Sequence, residues 1–140
     1  MSFLADSALQ EKLVSALNKN ESFGTQAAVF DGSIQIEVDK DCLWLKVYKG
    51  KVIDHQAGPS PFGYTFKLAG SEQSWNYLLS GARKWADLTF PGKRYFDDDP
   101  TLSRVGELET EISIEGNLVE AGRLTEATFE LAYTLKSVAA

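Results

Sequence analysis

Asp54 and His55 are the residues of this sequence best suited by type to move a proton. His55 is the only histidine among 140 residues, and an imidazole titrates near neutral pH, where a general base is most effective. Adjacent strand residues point to opposite faces, so carboxylate and ring form a dyad only if the strand is bulged. A solvated histidine is the simpler reading. Asp97-Asp98-Asp99 offers three carboxylates to a hard cation. It lacks the spaced acceptors and closing glutamate of a calcium loop, and with Pro100 behind it reads as an acidic helix cap. One histidine and one cysteine are too few for an ordinary zinc site. Cys42 has no activating base near it in sequence and is expected to be a partly buried, inert thiol. Gly58 and Gly63 are wrongly spaced for a phosphate loop. No nucleophile, base and orienting group can be assembled from these parts. The expectation is a chain with no catalytic residues, no metal and no cofactor.

The elements that carry these residues follow from periodicity. A helix is expected over 7–18, with Ser7 and Gln10 as a capping box and Leu9, Leu13, Ala16 and Leu17 as its apolar stripe. Residues 18–25 read as loop and 27–30 as a short strand. Asp31-Gly32 reads as a two-residue hairpin turn. Ile34, Ile36 and Val38 then alternate with polar residues, as do Leu43, Leu45 and Val47 beyond the turn at Asp39-Lys40-Asp41. Both sets are expected on one buried face. Lys49-Gly50 turns the chain into a weaker strand over 51–56. Tyr64, Phe66 and Leu68 mark another strand. Ser71 caps a helix with Trp75, Leu78 and Leu79 on its apolar side and Gly81 at its end. Leu108, Thr110, Ile112 and Ile114 mark the last strand, and a helix over 118–136 closes the chain. Runs of strands and helices in this order predict one α+β domain spanning 1–140. Its sheet would have about five strands, mainly antiparallel, with helices over one face and an apolar cavity between.

Composition narrows the function classes. A net charge of −6 with no basic stripe argues against nucleic acid. The longest apolar runs are too short to span a bilayer, so no stable membrane insertion is expected. A lone cysteine fits a reducing compartment, and no leader or peroxisomal tripeptide is visible, so cytoplasm is the expected location.

Three stretches carry a resemblance. "GSIQIEVDKDCLWLKVYKGKVIDH" resembles the central hairpins of sterol carrier protein-type lipid-binding domains. "YTFKLAGSEQSWNYLLSG" is similar to that family's strand, acidic helix start, aromatic and closing glycine. "ISIEGNLVEAGRLTEA" is similar to its late strand, Gly-Asn turn and C-terminal helix. The resemblance covers about residues 27–135. Residues 82–107 depart from it, being longer and more polar than the family's usual link. The resemblance implies a five-stranded sheet with helices on one side and, between them, an apolar tunnel for fatty acyl chains, sterols or similar lipids. It implies binding and transport of a hydrophobic small molecule without chemistry.

The side chains that suit such a ligand are apolar or small. Tyr64 and Phe66 are expected as the sheet floor, and Trp75, Leu78 and Leu79 as one helical wall. Ala121, Leu124 and Thr128 would form the other wall, and Trp85 and Phe90 the mouth. Tyr95 and Phe96 add rings to the same stretch. A ligand burying about 300 Å² of apolar surface there would gain about 7 kcal/mol before ordering costs. Two other classes stay open. One is a small isomerase- or cyclase-like enzyme acting on an apolar substrate in a similar pocketed fold. The other is a dimerising accessory subunit, with Trp44 and Tyr48, opposite Leu43, Leu45 and Val47, as the face of a homodimer.

Overall fold

The computed structural model describes residues 2–89 and 111–139. The expectations for Phe90, Tyr95, Phe96, the Asp97–Asp99 run and the Leu108–Thr110 start of the last strand lie outside the described residues. A short 3-10 turn at Phe3–Ala5 leads into α1 (Ser7–Lys19) and α2 (Glu21–Gln26). Three strands follow, β1 (Asp31–Val38), β2 (Asp41–Tyr48) and β3 (Lys51–Ala57), and then β4 (Phe66–Gly70). The described chain continues through α3 (Glu72–Leu79), α4 (Trp85–Thr89), β5 (Ile112–Gly116), α5 (Leu118–Arg123) and α6 (Thr125–Ala139).

The five strands form one sheet in the order β3-β2-β1-β4-β5. Ile34 pairs with Leu45 and Ile36 with Leu43, so the two alternating apolar sets share a face, as their periodicity predicts. All four of these residues are buried. The sheet is mainly antiparallel, as expected, but not purely so: β1 and β4 run parallel, with Ile34 opposite Phe66 and Ile36 opposite Leu68. Local turn signals report only neighbours in sequence. The β1–β4 pairing joins strands separated by a whole meander, which no short-range signal encodes.

Other local readings are corrected in the same physical terms. Asp31-Gly32 is not a turn but the first two residues of β1. A Cβ on Gly32 would run into the Phe30 ring, at 2.7 Å, so that glycine serves close packing. Residues 27–30 are a turn with Ala27 and Phe30 buried, not a strand. The expected loop 18–25 contains α2, started by the Asn20 side chain accepting from the Phe23 N–H at 3.0 Å and anchored by the fully buried Phe23 ring. At the head of α1 the cap is Asp6, whose carboxylate accepts from the Ala8 N–H at 2.9 Å. Gln10 does not close a capping box with Ser7; its amide donates to the Leu4 carbonyl. The single closing helix is two, because the backbone turns out of helical geometry at Leu124 (φ −106°, ψ 22°).

Helix α6 lies against α1, α2 and α3, and Leu131 and Leu135 join Leu13, Leu17, Ile36, Leu45 and Phe66 in one core. The opposite sheet face carries Gln35, Glu37, Cys42, Lys46 and Lys67. Trp44 belongs to that face yet is only 6% exposed, and its indole N–H donates to the Gly63 carbonyl at 2.9 Å. The 58–63 loop therefore folds over a ring expected to meet a partner, and Tyr48 alone of that pair stays exposed.

Candidate functional site

A cleft of about 190 Å³ opens at the β5 edge of the helical layer, lined by Trp85 and Thr89 of α4, Ile114 of β5, Leu118, Ala121 and Gly122 of α5, and Thr125, Thr128 and Phe129 of α6. Each element is placed by its own chemistry. Asn117 follows β5 and caps α5, its side-chain oxygen accepting from the Glu120 N–H at 3.1 Å. This turn swings α5 back alongside Ile114. The bend at Leu124 then lets α6 start in a new direction, so two helices and one strand meet at an angle that side chains only partly fill.

The lining is apolar in effect as well as in composition. Its three hydroxyls all donate to carbonyls of their own chain neighbourhood: Thr89 to Trp85 at 2.8 Å, Thr125 to Gly122 at 2.8 Å and Thr128 to Thr125 at 2.8 Å. No lining residue carries a charge. Such a surface offers dispersion contacts and no ionic anchor, which suits hydrocarbon.

Three of the residues expected from sequence, Trp85, Ala121 and Thr128, come together here. Phe66, Trp75, Leu78 and Leu124 are buried in the core instead, and none lines the cleft. Leu79 is half-buried against that core, and Tyr64 is an exposed ring just ahead of β4. Trp75 and Trp85 divide the two regions. Their rings lie 5.8 Å apart, tilted by 39°, with Trp75 fully buried on the core side and Trp85 facing the cleft. Thr89, Ile114, Leu118, Gly122, Thr125 and Phe129 were not among the expected site residues, although for the last four the small and apolar spacing through 118–129 was the signal.

The possible proton-transfer residues do not assemble. A bulge in β3, set against Lys46 and Val47, does occur, as the dyad would need. It lies before Asp54, however, and beyond it Asp54 pairs with Lys46 and His55 with Leu45, on opposite faces. The Asp54 carboxylate accepts from the backbone N–H of His55 at 2.9 Å. Among the described residues no group of three or more potential metal ligands gathers. Glu37, half-buried on the outer face, is held by Lys67 at 2.7 Å, and this bond raises the lysine's pKa.

Cys42 sits beside that pair. Burial first, and then the Glu37 carboxylate, push its thiol pKa up. The folded chain thus holds the thiol proton to higher pH than the unfolded chain does. The stability this contributes is complete below the ordinary thiol pKa and is lost as pH rises through the raised value. At pH 8, alkylation of Cys42 by iodoacetamide is expected to be slower in the folded protein than in urea. Equal rates, measured by mass spectrometry, would contradict the protected thiol.

No family model matches this sequence, and no curated protein matches it significantly. Solved structures do match. The crystal structure of a sterol carrier protein 2 superposes with a TM-score of 0.68 at 17% identity, covering 96% of this chain and 98% of that one. The solution structure of a conserved hypothetical protein of Thermus thermophilus, suggested to be a sterol carrier protein, gives 0.62 at 18% identity, covering 99% and 92%. The apo form of sterol carrier protein 2 from Yarrowia lipolytica gives 0.50 at 14%, covering 97% and 95%. The chain has the sterol carrier protein 2 fold.

Proposed function

We propose that a chain with this fold binds hydrophobic small molecules, such as fatty acyl chains or sterols, by taking an apolar segment into the cleft between α4, β5, α5 and α6, and carries them without chemical change. The observation that supports the reading most is the lining: nine residues without a charge, whose hydroxyls are all turned to their own backbone. The cleft's 190 Å³ is below the roughly 300–1,000 Å³ of common ligand pockets. It admits a short hydrocarbon segment as it stands, and a longer one enters by parting α4 from α6. Binding is then driven by area removed from water and owes little to a head group.

Ala121 provides the test, because its small side chain leaves room where α5 faces α4. Ala121→Trp is expected to weaken binding of the fluorescent fatty acid cis-parinaric acid by at least about tenfold, or about 1.4 kcal/mol. Stability should change by less than about 1 kcal/mol, since an open cleft accepts the ring. In a solid wall, overpacking instead costs about 1–3 kcal/mol. Unchanged probe affinity with a marked fall in Tm would mean that the site is packing and not a pocket.

A further inference from the structure

Among the described residues, the exposed large apolar side chains include Tyr48, Ile53 and Tyr133 on separate elements and a group that lies together. Phe62 (87% exposed), Tyr64 (38%), Leu118 (62%) and Val119 (74%) belong to two segments that meet at one end of the sheet. The Asn117 N–H donates to the Thr65 carbonyl at 2.8 Å, and a Cβ on Gly116 would lie 3.2 Å from the Tyr64 ring. Val29 (79%) stands at the same end, ahead of Phe30, whose ring lies 5.9 Å from that of Phe66. Leu118 is also a wall of the cleft, so this end adjoins the cleft.

Charge is distributed in the opposite sense. Near the apolar end, Lys46 is paired with Asp31 at 2.9 Å and Arg123 with Glu120 at 2.9 Å, and Lys49 and Lys51 stand at the β2–β3 turn toward the opposite edge of the sheet. At the far end, where Val38 is opposite Asp41 and Gly70, Asp39, Asp41 and Glu72 gather with Lys40. The molecule has a water-seeking acidic end and an end of separate apolar prongs. Separate prongs from different segments insert readily into a fluid layer, whereas a folded partner would demand one continuous complementary surface. A tyrosine among them suits the interfacial zone of a bilayer.

We infer that the end carrying Phe62, Tyr64, Leu118 and Val119 docks on a lipid bilayer and sets the adjoining cleft against the acyl chains, so that an apolar ligand passes between bilayer and cleft without crossing water. This rests on the apolar-ligand reading above. The net charge of −6 makes the attachment hydrophobic, not electrostatic, so it operates on neutral lipid and is insensitive to salt.

The test uses the full chain and sucrose-loaded phosphatidylcholine vesicles in a sedimentation assay. The Phe62→Ser, Val119→Ser double variant spares the cleft lining, and its partition is expected to fall by at least about tenfold. Ile53→Ser removes another exposed apolar side chain (59%) from β3, four strand spacings or about 19 Å from β5, and is expected to stay within about twofold of the parent. A tryptophan at position 62 (Phe62→Trp) should be quenched by brominated phosphatidylcholine. Equal partition of double variant and parent, or a parent that does not sediment with vesicles, overturns the docking. So does a self-association of the parent that the double variant abolishes while vesicle binding is unchanged, which would assign the surface to a protein partner. Binding of cis-parinaric acid in free solution is measured alongside. Its absence in the parent strikes the ligand reading, and its retention in a double variant that no longer sediments separates the two.

Discussion

Trp75→Ala is expected to lower the stability of the chain by about 3–5 kcal/mol, the range for removing a fully buried large aromatic. The indole of Trp75 is 0% exposed and is among the largest fully buried side chains of the described core. It also ties two elements together. Its ring N–H donates to the Glu37 carbonyl at 2.9 Å, linking α3 to the end of β1. Its face supports Trp85, which backs the cleft. Trp75→Phe retains most of the apolar volume and loses the hydrogen bond, so a smaller loss of about 1–3 kcal/mol is expected. Urea denaturation followed by far-UV circular dichroism separates the two variants. A loss below about 1 kcal/mol for the alanine variant would show that the core can collapse around this position and that Trp85 needs no partner behind it.

The contrast between Trp75 and Trp85 shows how far a sequence reveals a site. Both are tryptophans in short helices, both are almost fully buried, and both were expected at the ligand site, Trp75 in a wall and Trp85 at the mouth. Apolar periodicity identifies which side chains leave water; it does not say whether they meet another side chain or leave a gap. The gap arises from the bend at Leu124 and the angle at which α5 returns from Asn117, and these are tertiary facts. Phe66 fell on the core side for a related reason. Its strand is flanked by β1 and β5, so side chains close in on it from both neighbours. The cleft is at the margin, where β5 has no further described strand beyond it. By contrast, the register of β1 on β2 was legible because alternation and a short turn fix it together. The cap at Ser71 was legible because one polar oxygen meets one free N–H within three residues. Helix α2 was hidden because Ser22, Gly24 and Thr25 are poor helix formers, and only the burial of Phe23 outweighs them.

That hidden helix leads to the second large effect. Gly50→Val is expected to destabilise the protein by about 2–5 kcal/mol, from two independent causes. Gly50 ends the two-residue turn between β2 and β3 with φ +79°, following Lys49 at +50°. Side chains other than glycine pay about 1–2 kcal/mol for such a left-handed backbone, and β-branching makes it worse. In addition, a Cβ on Gly50 would collide with the Gly24 carbonyl oxygen and come within 3.0 Å of the Gly24 Cα. Gly24 is in α2, so the helix and the turn touch backbone to backbone, and relieving the clash adds about 1–3 kcal/mol. Lys49→Gly provides the control. It alters the same turn without touching α2 and should stay within about 1 kcal/mol of the parent, backbone relief offsetting the greater freedom of the unfolded chain. Thermal denaturation of both variants distinguishes the causes: equal, small shifts would mean that α2 does not press on the turn. The contact matters for the cleft because α2 holds α6, with the Asn20 amide at its head donating to the Thr134 hydroxyl at 3.1 Å. The first turns of α6 supply Thr125, Thr128 and Phe129 to the cleft wall. If α2 is displaced by a side chain at position 50, the loss of order should pass along α6, and cis-parinaric acid binding should weaken in the still-folded fraction without any change to a residue that touches the ligand.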